Sequence, residues 1–258
     1  MSAGLRDAST PVVVGVACRR FRDGAFTDIQ DDLAVEIGIE VSCGPGPARR
    51  LYAAPLDLPV LALGHAWLEM CPPGFSPVAV ARDGGTWAAK TPESPETIRR
   101  FVFELVPGRE TVLSGPECPG SLTPQKVVEH MRRFIAAPGL WEDTGCFHRG
   151  GVLDPATGDF LFLAEDIGRH NCLDRLGGRA LLAKTSLAGL VLFLSARVTA
   201  SMCDKALRAG FTCIVSRSAV TTEAVRLARE GGLALAGFAR EAENRFTVFC
   251  DPSGRFSK

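Results

Sequence analysis

The chain has 258 residues, 46% of them hydrophobic, enough for one large domain or two small ones with an ample core. Its 29 Lys and Arg residues balance 29 Asp and Glu, and its adjacent basic residues come only as isolated pairs such as Arg99-Arg100, which argues against tethering to a nucleic-acid polymer. No apolar run approaches the ~20 residues that span a bilayer, and the polar start leads into no secretory core, so no membrane association is expected and the cytoplasm is, with nine mostly buried, reduced cysteines.

Taken in order, residues 1–10 read as a disordered tail. Residues 11–18 and 33–41 are β-rich, and Gly44-Pro45-Gly46-Pro47 punctuates a turn. Residues 56–69 carry a helical period, with Leu58, Leu61 and Leu68 on its apolar side. Runs at 78–81 and 86–89 flank Asp83-Gly84-Gly85, a hairpin signal. Residues 97–105 alternate as a strand. These elements make a small α+β unit over 11–106, followed by a larger α/β unit over 107–258.

The larger unit opens on a Pro/Gly-rich loop over 107–122. Thr123-Pro124 then caps a helix whose apolar face is Val127, Val128, Met131, Phe134 and Ile135, ended by Pro138-Gly139. Residues 152–153 and 160–163 flank a second hairpin turn. Beyond it the pattern alternates: helix 171–184, strand 190–195, helix 199–209, strand 211–216, helix 222–230, then strands 233–238 and 245–250. Gly210 and Gly231 sit where left-handed helix stops belong. Such alternation implies a central sheet with helices on its faces.

One stretch organises this unit: Glu165-Asp166-Ile167-Gly168-Arg169-His170-Asn171, a polar turn between a strand and a helix. Ligands favour such turns, because backbone N–H groups at a helix start lack partners. The alternative is a capped helix start, with Asp166 or Asn171 as cap. Arg169, Arg197, Lys205 and Arg217 all fall at turns or helix starts, beside Ser195, Ser216 and Ser218. If the sheet is mainly parallel they converge on one edge, forming a cleft for phosphates. The alternative is scattered surface ion pairs.

A second chemistry is offered by Cys118, flanked by Gly and Pro in a loop where burial in a regular element is unfavourable. Such a thiol can attack a persulfide and hold the extra sulfur. Glu117 beside it works against the thiolate. Cys146 is the alternative thiol, two residues from His148, whose imidazolium would favour the thiolate. The four histidines have no paired metal-binding spacing and no C-x-x-C is present, so no intrinsic metal site is expected.

Glu165-to-Asn171, then Ser195-Ala196-Arg197-Val198, then residues 215–225, then Leu235-Ala236-Gly237-Phe238, come in the order and spacing of the formate dehydrogenase accessory sulfurtransferase family (FdhD), which the chain resembles from 144 to 249. The resemblance implies a cytidine-deaminase-like three-layer α/β/α core with a smaller N-terminal α+β subdomain. The deaminase motifs H-x-E and P-C-x-x-C are absent, so that likeness is one of fold. It implies a sulfurtransferase that passes persulfide sulfur from a cysteine desulfurase to the molybdenum cofactor, bis-molybdopterin guanine dinucleotide, before insertion into the catalytic subunit of formate dehydrogenase. It also implies a possible homodimer. The cofactor-binding set implied is Arg169, His170, Arg197, Ser216, Arg217 and the segment Phe238-Ala239-Arg240-Glu241-Ala242-Glu243. The family's reactive loop carries a C-x-x-C pair; here Cys118 matches its second cysteine and Gly115 stands at the first. Three readings stay open: Cys118 acts alone, Cys146 has taken over, or transfer is lost and a non-catalytic cofactor-binding chaperone remains.

Overall fold

The structure is a computed structural model and describes residues 10–79, 87–91, 94–107, 122–140 and 144–256, with the backbone alone over 87–91 and 94–98. Strands β1 (Val13–Arg22) and β2 (Ala25–Ala34) form a two-stranded antiparallel ribbon, paired without a slip from Val13↔Ala34 to Arg22↔Ala25. Asp23 and Gly24 turn it with φ of 53° and 83°, the positive values a two-residue hairpin demands. The ribbon replaces the expected strand at 11–18 and takes the start of the one at 33–41. Val14, Val16, Phe21, Phe26 and Leu33 are exposed on it.

The second sheet holds β3 (Ile37–Cys43), β4 (Arg49–Ala53), β5 (Phe75–Ala79), β6 (Trp87–Thr91) and β7 (Ser94–Pro107). Its order is β4-β3-β7-β5, with β6 also on β7. The expected hairpin between 78–81 and 86–89 is corrected: among the described residues β5 pairs with the end of β7 and β6 with its start. The turn between them lies outside the described residues. Helix α1 (Leu58–His65) covers this sheet, packing Leu58, Leu61 and Ala62 on Ile39, Val41 and Phe103. It passes into a π-helical turn, Ala66–Met70, where one helix through residue 69 was expected.

The third sheet carries the rest. Its elements are α2 (Pro124–Ile135), β8 (His148–Leu153), β9 (Phe160–Asp166), α3 (Arg169–Ala183), β10 (Val191–Leu194), α4 (Ala200–Ala209), β11 (Cys213–Ser216), α5 (Thr222–Glu230), β12 (Ala234–Arg240) and β13 (Arg245–Cys250). The order is β13-β12-β11-β10-β8-β9, parallel among β10, β11 and β12, with β8 antiparallel to both its neighbours. Side chains alternate across β10, so Val191 and Phe193 meet α2 while Leu192 and Leu194 meet α3, α4 and α5. Three layers result. Each fully buried Leu or Phe in them contributes about 1.5–3 kcal/mol relative to exposure.

Local chemistry sets the helix limits. Thr123 Oγ1 accepts from Lys126 N at 3.4 Å and Pro124 opens α2, as the sequence predicts. Gly210 closes α4 with φ of 87°. The left-handed stop expected at Gly231 is instead at Gly232, with φ of 70°.

Helix α1 crosses α3 at backbone contact. A Cβ on Gly64 would stand 1.7 Å from the Asp174 carbonyl oxygen, and one on Gly178 would stand 2.0 Å from that of Val60. This crossing brings His65 Nδ1 to 3.0 Å from Asp174 Oδ2. From α4, Lys205 Nζ reaches both Asp174 oxygens at 2.7 and 2.8 Å, and Glu69 at 3.1 Å. Asp174 is fully buried, and burial pushes its carboxyl up, yet Lys205 and His65 together hold it below the usual carboxylate range. Removing one partner of such a buried pair costs about 3–5 kcal/mol.

Candidate functional site

Because β8 is antiparallel to both β9 and β10, strands β9, β10, β11 and β12 all run the same way. The registers His148↔Asp166, Gly150↔Leu194, Leu194↔Ser216 and Val215↔Ala236 then bring the ends of these four strands to one sheet edge. The turns after Asp166, Leu194, Ser216 and Arg240 leave from that edge. It is the usual place for a ligand in an α/β sheet.

The turns are tied to one another through the backbone. Ser195 N donates to Arg149 O at 3.0 Å, Arg217 N to Leu194 O at 2.8 Å, Val198 N to Ala219 O at 3.0 Å and Phe238 N to Ser218 O at 2.8 Å. Side chains complete this. Ser195 Oγ accepts from Arg149 N at 2.8 Å, and the fully buried Ser216 hydroxyl donates to Ala196 O at 2.7 Å while accepting from Ser218 N at 3.0 Å. Ser216 therefore shapes the turn, and its hydroxyl is already engaged.

At Glu165-to-Asn171 the turn is built by Asp166. Its Oδ1 accepts from Gly168 N at 2.9 Å and from Asn171 Nδ2 at 2.8 Å, and its Oδ2 takes Arg175 Nη2 at 2.6 Å. Neither Asp166 nor Asn171 caps α3; the cap position is Gly168, without a side-chain bond. Asn171 Nδ2 also donates to Tyr52 O at 2.8 Å, fastening the turn to β4.

Arg169 and Arg240 are half-buried here, and each has a buried Nε with no hydrogen-bond partner. His148 Nδ1 is in the same condition. Burial first, then the positive charges of Arg169 and Arg197, push the His148 ring below the ordinary histidine value. His148 thus stands beside both arginines and is held neutral. The imidazolium expected to activate Cys146 is not favoured, and this corrects that reading. Arg197 is exposed. Arg217 is paired with Glu241, Nη2 to Oε1 at 3.2 Å. Burial works against the Glu241 carboxylate, but the bond from Arg217 and the charges of Arg217 and Arg240 keep its pKa low. Glu241 therefore spends its charge on Arg217, leaving Arg169, Arg197 and Arg240 as the edge's cations.

The other expected residues take distinct places. His170 Nε2 lies 2.8 Å from Ser201 Oγ, and its ring is pushed down by burial, then by Lys205 and Arg169. Phe238 has φ of 51° and tilts against Phe249, ring centroids 6.3 Å apart. Ala239 is buried in the core toward α2, while Ala242 and Glu243 are exposed, Glu243 pairing with Arg245. Lys205, expected among the anion-binding cations, is instead buried within α4 and pairs with Asp174 and Glu69.

Cys118, with Gly115 and Glu117, lies outside the described residues. Of the eight described cysteines, Cys146 and Cys18 are exposed and the other six are buried. Cys172, with Sγ 3.4 Å from His148 O, is pushed well up by burial and is inert as a nucleophile. Among the described residues no group of three His, Cys, Asp or Glu is placed to hold a metal ion, and no helix is long and apolar enough to cross a membrane.

Protein FdhD of Methanocaldococcus jannaschii is 38% identical over 130 residues, 50% of this chain and 55% of that protein. Sulfur carrier protein FdhD of Staphylococcus aureus is 34% identical over 132 residues, 51% and 48% of the two chains. The chain thus spans about half the length of the curated relatives it matches. A crystal structure described as that of a formate dehydrogenase accessory protein from Desulfotalea psychrophila superposes with a TM-score of 0.71 at 20% identity, covering 95% of this chain and 100% of that one. That likeness is one of fold. The profile of the FdhD/NarQ family matches residues 104–255, more than half of the sequence and every turn of the cationic edge, and the chain belongs to that family.

Proposed function

We propose that this protein is a sulfur carrier for formate dehydrogenase. It takes sulfur from a cysteine desulfurase and passes it to the molybdenum cofactor, bis-molybdopterin guanine dinucleotide, held as substrate before insertion into the enzyme's catalytic subunit. In the first step a Cys118 thiolate attacks the terminal sulfur of the donor's persulfide. A new S–S bond forms on Cys118, and the donor leaves as its thiolate. The observation that carries the cargo half of the proposal is the shared edge. Arg169, Arg197 and Arg240 stand on turns that leave it, and two of them have buried nitrogens without partners. Such nitrogens are costly to leave unmet and suit the oxygens of a diphosphate.

Incubation with desulfurase and cysteine, followed by intact mass and peptide mapping, tests the carrier step. One added sulfur on Cys118, lost in Cys118→Ala, is expected; sulfur on no cysteine rejects it. Guanosine diphosphate serves as the probe of the edge. Arg240→Ala is expected to weaken its binding about tenfold or more, since a charge-assisted hydrogen bond contributes about 1.5–3 kcal/mol. Unchanged binding rejects the cargo site.

The second reading is a cofactor-binding chaperone without transfer, and Gly115 in place of the first cysteine favours it. It predicts guanosine diphosphate binding unaffected by Cys118→Ala and no persulfide. Cys146 is an exposed thiol, and peptide mapping would reveal it had it taken over.

A further inference from the structure

His148 opens β8 at the sheet edge. Its cross-strand partner on β9 is Asp166, and the next residue, Arg149, donates its N–H to Ser195 Oγ just past the end of β10. His148 therefore lies between the turn that leads to Arg169 and the turn that carries Arg197. Both arginines act on its ring through their charge.

The other groups around the ring are committed elsewhere. Asp166 is the carboxylate that acts on it. One Asp166 oxygen accepts from Gly168 N and Asn171 Nδ2, at 2.9 and 2.8 Å, and the other from Arg175 Nη2 at 2.6 Å. Glu165 takes Arg149 Nη2 at 2.7 Å. Cys172 Sγ meets the backbone oxygen of His148, not the ring. His170, beside Arg169 in the chain, has its Nε2 against Ser201 Oγ at 2.8 Å. His148 Nδ1 is left buried with no partner.

Two things oppose a second proton on this ring. The guanidinium charges of Arg169 and Arg197 repel it. A proton on Nδ1 would also find no acceptor, which is costly for a buried donor. An anion seated on the two arginines removes both obstacles. Its negative charge offsets theirs, and its oxygens accept hydrogen bonds.

We infer that a phosphate-class anion bound by Arg169 and Arg197 is taken up together with one proton from solvent, carried on His148. This rests on the cargo half of the sulfur-carrier reading and adds a proton-linked grip to it: the edge holds its diphosphate more tightly as pH falls. The diphosphate of a dinucleotide is esterified at both ends and does not titrate near neutrality, so the proton belongs to the protein.

Diguanosine diphosphate is the probe, because the terminal phosphate of guanosine diphosphate itself titrates near neutrality. It is titrated calorimetrically into the intact chain, in buffers of different ionisation enthalpy. Net proton uptake is expected at about pH 6.5, the ordinary histidine value. Affinity is expected to rise severalfold or more from about pH 8 to about pH 5.5, since a ring raised by one unit on binding gains a factor of about ten. His148→Gln is expected to flatten this profile and abolish the uptake. Nitrogen-15 NMR of the wild-type chain is expected to show His148 titrating at higher pH with the probe than without it. Binding without uptake, or uptake that persists in His148→Gln and so belongs to another group such as His170, overturns the inference and leaves the cargo site standing. No binding at either pH overturns the cargo site and the inference with it. If His148→Gln does not fold, the wild-type NMR titration decides: a His148 midpoint unmoved by the probe overturns the inference.

Discussion

Three histidines bear the same physical mark. His130, His148 and His170 all lie below the ordinary value, in each case through burial first and neighbouring positive charge second. For a base so shifted, the unfolded chain binds more protons than the folded one. Stability is fully present above the unfolded value, about 6.5, and is lost as pH falls from there through the lower folded values. Urea midpoints are expected to fall as pH drops below about 6.5, ahead of the carboxylate range. Replacing His148 with Asn should remove its share of the drop; an unchanged pH dependence would refute its buried neutral state. At this scale the sequence was legible where chemistry is local. Thr123-Pro124 announces a helix start, and Gly210 a stop. It was not legible where partners are remote. His65 and Asp174 are 109 positions apart, and Asp174 and Lys205 are 31 apart, so nothing near Lys205 in the chain reveals that it is buried and neutralised. The same holds for Glu241 and Arg217, 24 apart, whose pairing takes one arginine out of the proposed anion-binding set.

Among elements, the crossing of α1 on α3 decides most. Gly64 and Gly178 have ordinary backbone angles; what they supply is room. Gly178→Ala places a methyl group on the Val60 carbonyl, and the helices must separate to admit it. Overpacking of this kind costs about 1–3 kcal/mol, to be read as a lowered urea midpoint with the slope unchanged. A neutral result would show that the helices do not approach this closely. The period of residues 56–69 marked α1, and the apolar spacing from Cys172 onward marked α3. Their meeting was not marked, because a glycine in a helix signals only a propensity penalty until the opposing backbone is known. The hairpin of β1 and β2 had a local signal in Asp23-Gly24, a strong one for such turns. The β-rich runs on either side drew the boundaries elsewhere. The edge of the third sheet was foreseen for a parallel sheet. It arises in a mixed one, because the antiparallel β8 between β9 and β10 restores a common direction.

Across the whole molecule, stability is unevenly spread. The third sheet has packed cores on both faces, whereas the β1–β2 ribbon is exposed on both. An isolated two-stranded hairpin is marginal in water. Native-state hydrogen exchange is expected to show the ribbon's amides opening far more readily than those of β10, β11 and β12, and without unfolding them. Equal protection in the two regions would mean that the ribbon has a cover or partner in solution.

The backbone ties among the turns of the sheet edge have a further consequence. Arg149, Leu194, Ala219 and Ser218 each offer a carbonyl to the neighbouring bend, so the bends are laced into one seam. The bends that carry the arginines are therefore held in register before any ligand arrives, which on the proposed cofactor-binding reading lowers the cost of ordering them. If the edge binds its anion as proposed, capture is expected to be set by electrostatic steering and to slow as salt is added.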